Sequence, residues 1–323
     1  MPLGEFELIE RYFAACGATR SDVRLGIGDD GALLECAPGE QLVAAVDTLV
    51  AGRHFPVGSS PHSIGYRALA VNLSDLAAMG ARPAWALLAL TFPEVNESWL
   101  AAFAAGFGKL ARIHDVALVG GDTTAGPLCI TVQVLGHVAA SKALLRSGGK
   151  AGDILFVSGT PGDAAAGLAI EQGSLQVSNA DHAIYLRERF LFPTPRIELG
   201  QSLCEYASAC IDVSDGLLGD AGKLAAASGC GVEISYLELP ISIPLADSVG
   251  DQRARELALT GGDDYELCFS VPSSAVEALQ RDLPPQEWGY RRIGALRADP
   301  GAVVMRNGIV MEFSHSGFDH FSA

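Results

Sequence analysis

Four apolar segments of this chain run into aspartates. Residues 209 to 216 read ACIDVSDG, where an apolar strand passes straight into Asp212 and then Asp215 with a helix following. LGIGDDGALL carries Asp29 and Asp30, LVAAVDTLV carries Asp47 and VALVGGDTT carries Asp122. A carboxylate at the end of a buried segment is costly unless a cation or several hydrogen-bond donors meet it. The strands have to end where such partners can be supplied.

The periodicity places these strands in an alternating pattern. Residues 5 to 16 read as an amphipathic helix, QLVAAVDTLV as a strand, and 61 to 80 as a helix that is apolar nearly all round and hence buried. A strand near 84 to 91, a helix over 97 to 113, a strand at 115 to 119 and the long strand LCITVQVLGHV follow. Residues 139 to 153, AASKALLRSGGKAGD, mix small, basic and glycine residues and mark the crossing between domains. The pattern then restarts: strand 154 to 158, helix 162 to 172, helices through 179 to 207, strand 209 to 212, helix 217 to 228, and strands near 232, 266 and 303. With 323 residues, 49% of them apolar, the chain is long enough for two cores. The expectation is an α/β or α+β protein in two domains, 1–138 and 139–323.

Charge and cysteine usage narrow the function classes. A formal charge of −16 argues against a surface that binds nucleic acid through many phosphates. It does not exclude a nucleotide, because divalent cations reverse the local field of a carboxylate cluster. No apolar run approaches the ~18 residues of a membrane helix. The start, MPLGEFELIERYF, lacks the basic flank of a secretion signal. Seven cysteines without a CxxC pair read as reduced thiols of a cytoplasmic protein rather than a disulfide or zinc framework.

Each acidic motif has an ordinary explanation when taken alone. Asp29 and Asp30 between Gly28 and Gly31 fit a tight turn, and Asp47 with Thr48 fits a helix cap or a loop. Asp75 is harder to explain, since its helix has little polar surface and it shares a face with Asn72 three residues earlier. Two glycines precede Asp122, so main chain can approach a phosphate there while the carboxylate holds a metal. DVSDG offers Asp212, Ser214 and Asp215, and TGGDDYEL adds Asp263, Asp264 and Glu266 ahead of a strand. Carboxylate oxygens match Mg²⁺ or Mn²⁺ rather than copper or zinc. HExxH, G-x-S-x-G, the G-x-x-x-x-G-K-[ST] phosphate loop and the H-R-D set are all missing from the sequence. Arg146 in LLRSGGKAGD suits a phosphate contact or a solvated linker, and His54 with Phe55 suits a loop.

Taken in order, GIGDDGALL, VDTLVAGRHF, AVNLSDLAAMGA, GGDTT, RSGGKAGD, SGTPGDAAAGLA, IDVSDGL, GGDDYELCF and the terminal GFDHF resemble the thiamine-monophosphate kinase family. That family belongs to the superfamily of aminoimidazole ribonucleotide synthetase and selenophosphate synthetase, and the resemblance runs from Glu5 to Phe321. It implies a homodimer whose amino-terminal domains pair strands into a shared β-barrel, with the carboxy-terminal α/β domain closing over the nucleotide. It implies ATP and thiamine monophosphate as substrates, several Mg²⁺ ions, and a monovalent cation such as K⁺ as a further candidate. By motif, Asp30, Asp47, Asp75, Asp122, Asp212 and Asp215 would hold magnesium. Gly121, Asp122, Arg146 and Ser214 would meet the nucleotide, and His54, Asp263 and Phe318 would lie near thiamine monophosphate. Relatives commonly have Glu where this chain has Asp263, and hydroxyl residues where it has Ala45 and Val46.

The acceptor would be a phosphate oxygen already ionised near neutral pH, so no general base is required, and alignment with charge neutralisation accounts for the transfer. Two other readings fit the same acidic residues: another ATP-dependent synthetase of the superfamily, and a Mg-nucleotide-binding regulator without turnover.

Overall fold

The computed structural model describes residues 4–313 and 315–318. The chain divides into two compact units, one of residues 1–76 with 81–141, the other of residues 77–80 with 142–323.

The first unit runs α1 (Glu5–Tyr12), β1 (Val23–Leu25), β2 (Leu33–Leu34), β3 (Glu40–Val50), α2 (Pro61–Ala78), β4 (Arg82–Phe92), α3 (Glu97–Ile113), β5 (Ala117–Ala125) and β6 (Cys129–Ala139), the last two residues of α2 grouping with the second unit. Its main sheet has the order β3-β6-β4-β5, antiparallel except for the β4–β5 pair. Helix α2 buries Leu69, Leu73 and Leu76 completely. It can approach α3 because glycines stand at the crossing: a Cβ on Gly65 would fall 2.1 Å from the Phe103 carbonyl oxygen, and one on Gly106 would fall 1.9 Å from that of His62. Asn96 caps α3 by accepting the Trp99 N–H at 3.0 Å.

The second unit runs β7 (Ile154–Ser158), α4 (Asp163–Glu171), α5 (Ala180–Leu191), α6 (Ile197–Leu203), β8 (Ala209–Val213), α7 (Leu217–Ala227), β9 (Gly231–Ser235), α8 (Ile243–Val249), α9 (Asp251–Thr260), β10 (Glu266–Val271), α10 (Val276–Asp282), α11 (Pro285–Trp288), β11 (Tyr290–Arg297), β12 (Gly301–Arg306) and β13 (Ile309–Met311). Its sheet has the order β13-β12-β9-β11-β7-β10-β8. Helix α7 lays Leu217, Ala221 and Leu224 onto Val157, Ile211 and Ile234 in one core. Every residue of β8 and β10 is buried, including Asp212, Glu266 and Ser270 among their apolar neighbours. Cys210 and Cys268 sit inside these two neighbouring strands, whereas Cys36 is exposed.

Several elements differ from the sequence expectation. Helix α1 stops at Tyr12 instead of reaching Cys16, with a turn taking residues 13–15. Strand β5 does not end at Val119 but continues through Gly120, Gly121 and Asp122, carried by its parallel ladder with β4. Helices α8 and α9 and strand β11 lie where no element was expected. Among the described residues, no helix is long and apolar enough to cross a membrane.

Candidate active site

The expected aspartates fall into two groups, one in each unit. In the first, the Asp47 N–H donates to the Asn72 side-chain oxygen at 2.9 Å, and the buried Asn72 amide donates in turn to the Ala68 carbonyl. Asn72 thereby fastens α2 to β3. Asp75, three residues further on, shares the helix face that carries Asn72.

Asp122 lies in β5 and accepts the Thr123 N–H at 2.9 Å, while Asp29 accepts the Asp30 N–H at 2.8 Å. Asp29, Asp30, Gly121 and Asp122 line one cavity of about 810 Å³, to which α1 contributes Phe6, Ile9 and Glu10 and the turn after it Phe13. Gly121 has φ +149°, and a Cβ there would fall 1.8 Å from the Leu88 carbonyl oxygen. Only glycine lets β5 lie this close to β4 at the cavity wall. His54 lies in the turn after β3, where Nδ1 accepts the Val50 N–H at 2.9 Å.

The sheet register sets the spacing within this unit. Asp47 pairs with Val132, Val132 with Leu88, and Leu88 with Gly121, so Asp47 and Gly121 occupy one row on opposite outer strands. Three strand spacings amount to about 14 Å. Among the described residues, no three His, Cys, Asp or Glu side chains form a group that could hold a metal ion. The donors themselves are hard carboxylate oxygens, and two of them, Asp30 and Asp122, line one cavity beside Asp29 and Glu10, so their chemistry suits a hard divalent cation bound together with anionic ligands.

In the second unit the backbone draws the candidates together. Asp212, the last residue but one of β8, is 5% exposed. The next turn wraps around a different carboxylate: Asp220 Oδ2 accepts the N–H groups of Ser214, Asp215 and Gly216 at 3.1, 3.0 and 3.2 Å. Lys223 bridges Asp220 Oδ1 at 2.9 Å and Asp215 Oδ2 at 2.6 Å. The Asp263 N–H donates to the Ser214 carbonyl and the Phe318 N–H to the Asp215 carbonyl, each at 2.8 Å. Ser214, Asp215, Asp263 and Phe318 therefore sit on one cluster of loops, with Phe318 44% exposed. Arg146 is exposed, and its carbonyl accepts the Ser228 hydroxyl. The GFDHF motif beyond Phe318 lies outside the described residues.

Within the acidic run at 263–266, Asp264 and Glu266 serve two different structural purposes. Asp264 is 1% exposed and accepts the N–H groups of Gly162 at 2.7 Å and Ala164 at 3.3 Å, at the start of α4. Burial raises its carboxyl well above the ordinary range against the pull of Gly162 and Arg189, but both oxygens act as acceptors, the geometry of the ionised form. Glu266 is fully buried and accepts from Ser158 Oγ, Arg189 and the Nε and Nη2 groups of Arg196 at 2.5–2.6 Å. Burial alone would raise its carboxyl, yet Arg196, Arg189 and Ser158 outweigh that and hold it low. Asp263 and Tyr265, flanking Asp264, have left-handed φ values of +73° and +52°.

Sequence reasoning missed Asp220 and Lys223. The i, i+3 acid–base spacing on α7 was the available signal.

The family described as AIR synthase related protein matches this chain twice, its N-terminal domain over residues 28–138 and its C-terminal domain over 150–306. A thiamine-monophosphate kinase of Salmonella typhimurium is 49% identical over 323 residues, covering 100% of this chain and 99% of that relative. The crystal structure of a thiamine-monophosphate kinase from Stenotrophomonas maltophilia superposes with a TM-score of 0.84 at 47% identity, over 95% of this chain and 98% of the other. The structure of AaThiL complexed with AMPPCP and TMP superposes with a TM-score of 0.77 at 31% identity, over 99% of each chain.

Proposed function

Because the chain belongs to the AIR synthase related protein family and, within it, to the thiamine-monophosphate kinases, we propose that it transfers the terminal phosphoryl group of ATP to thiamine monophosphate, giving ADP and thiamine diphosphate. It is a phosphotransferase whose acceptor is itself a phosphate. The carrying observation is the loop cluster of the second unit, where backbone hydrogen bonds join Ser214 and Asp215 to Asp263 and Phe318. AaThiL bound to AMPPCP and TMP supports the same pair of ligands for this chain.

Ser214, Gly121, Asp122 and Arg146 bind and orient the nucleotide. Phe318 offers an aromatic face to the acceptor's ring system, Asp263 a negative partner for its cationic thiazolium, and His54 a further contact. The acceptor oxygen is ionised near neutral pH, so no side chain has to remove a proton, and the attacking oxygen needs only alignment with the phosphorus. Asp30, Asp47, Asp75, Asp122, Asp212 and Asp215 would hold Mg²⁺, with K⁺ a further candidate ion. Magnesium, when bound, offsets the repulsion between two anionic reactants and polarises the transferring group.

The enzyme acts as a cytoplasmic homodimer in this reading. Support comes from the edge strand β3, which exposes Leu42, Val46 and Val50 at 47%, 59% and 39%. These residues share one face at even spacing and suit pairing with a second copy.

The test is product formation by the purified protein with ATP, Mg²⁺ and thiamine monophosphate. Appearance of ADP together with thiamine diphosphate is expected. Tight ATP binding without turnover would leave a regulator instead, and turnover only with a ribonucleotide amidine would leave a synthetase.

A further inference from the structure

Residues 261–265 form neither helix nor strand, yet they hold two left-handed residues, Asp263 and Tyr265, on either side of a buried carboxylate. Left-handed backbone costs about 1–2 kcal/mol per non-glycine residue and persists where the surroundings over-determine it. Here four bonds do so. The N–H groups of Asp263 and Tyr265 are bound by the Ser214 and Val213 carbonyls at 2.8 Å, and Asp264 is bound by the first turn of α4. The neighbouring loop, Ser214 to Gly216, is held separately, by Asp220. Each of the two loops thus has its own buried aspartate.

Building on the functional reading above, we propose that Asp264 is a positioning residue for the phosphate-ester acceptor: by pinning the 261–265 loop to α4, it fixes Asp263 where the acceptor binds. Asp264 touches no substrate and acts through Asp263. Asp220 holds the nucleotide-side loop through three N–H bonds of its own, and although the Asp263–Ser214 and Tyr265–Val213 bonds join the two loops, each aspartate acts first on the loop it anchors.

Asp264→Asn keeps the shape of the side chain but turns one of its two acceptors into a donor facing a backbone N–H. Steady-state kinetics on the full-length enzyme should show the KM for thiamine monophosphate raised about tenfold and that for MgATP changed less than about twofold. Asp220→Asn should show the reverse split. Hydrogen exchange followed by mass spectrometry should be faster across 261–265 in Asp264→Asn and unchanged across 212–216. If Asp264→Asn does not fold, Asp264→Glu, which keeps the charge but displaces it, is held to the same criteria. An unchanged acceptor KM, equal rises in both constants, or the same pattern from both aspartates would overturn the proposal. A wild-type enzyme that forms no thiamine diphosphate would instead overturn the functional reading, while the exchange result would still report on the anchor.

Discussion

Asp263 donates its backbone N–H to the Ser214 carbonyl oxygen across 2.8 Å. One peptide-level bond therefore couples a residue assigned to the acceptor with one assigned to the nucleotide, and neither side chain is consumed in making it. Phe318 makes the same kind of bond to Asp215. The side chains of this cluster are positioned by main chain, which tolerates side-chain substitution, so their chemical roles can be tested separately from the fold.

Replacing Asp75 or Asp212 with Asn should lower the rate of thiamine diphosphate formation by about a hundredfold or more, with far-UV circular dichroism unchanged. Wild-type rates in both variants would remove these residues from the metal-holding set.

Chelation by EDTA should abolish turnover, and Mg²⁺ or Mn²⁺ should restore it where Zn²⁺ does not, as all-oxygen donors dictate. Persisting turnover in the chelated enzyme would count against the assigned role of the aspartates.

Gly121→Ala should destabilise the protein by about 2–4 kcal/mol, because its Cβ would fall 1.8 Å from the Leu88 carbonyl oxygen. Gly28→Ala, with φ +120° but nothing within 4 Å of its Cβ, should cost only the backbone strain, about 1–2 kcal/mol. Urea unfolding of the two variants measures the difference, and equal losses would show that the approach of β5 to β4 is not the constraint.

Glu266→Gln should cost about 3 kcal/mol at neutral pH, because it leaves Arg189 and Arg196 without their buried counter-charge. The Glu266 carboxyl is held below its ordinary value, so it binds a proton less readily folded than unfolded. Its stabilisation is present above the ordinary glutamate range, near pH ~4.3, and is lost as pH falls from there through the folded value. The gap between wild type and variant should therefore narrow on acidification, as followed by urea unfolding at pH 7 and below pH 4.

Phe318→Ala should raise the KM for thiamine monophosphate about fivefold, the scale of one aromatic–cation contact, with little change in thermal midpoint because the ring is 44% exposed. An unaltered KM would place the acceptor ring elsewhere.

The elements with strong periodicity were legible in the sequence. Helices α2 and α3 and strands β3, β6, β7 and β8 follow their apolar patterns because each buries a face or a whole strand. Helix α9, DQRARELALT, was missed because its charged positions dominate and only Ala254, Ala258 and Leu259 are buried. β11 hides behind Arg291 and Arg292. At the site, type and order of residues identified the family, but no local pattern separates acids that serve structure from acids that face a ligand. Asp264 and Glu266 stand beside Asp263 in sequence, yet one holds a helix start and the other two arginines. That division depends on Gly162, Arg189 and Arg196, remote positions that the motif itself does not contain.

The adjacent strands β8 and β10 also carry their own chemical stopwatch. Burial pushes the Cys210 and Cys268 thiols up in pKa and out of reach, so an alkylating reagent can label them only when these strands part. Because Asp212 and Glu266 sit on the same two strands, the labelling rate of that pair clocks how often the floor beneath the loop cluster opens.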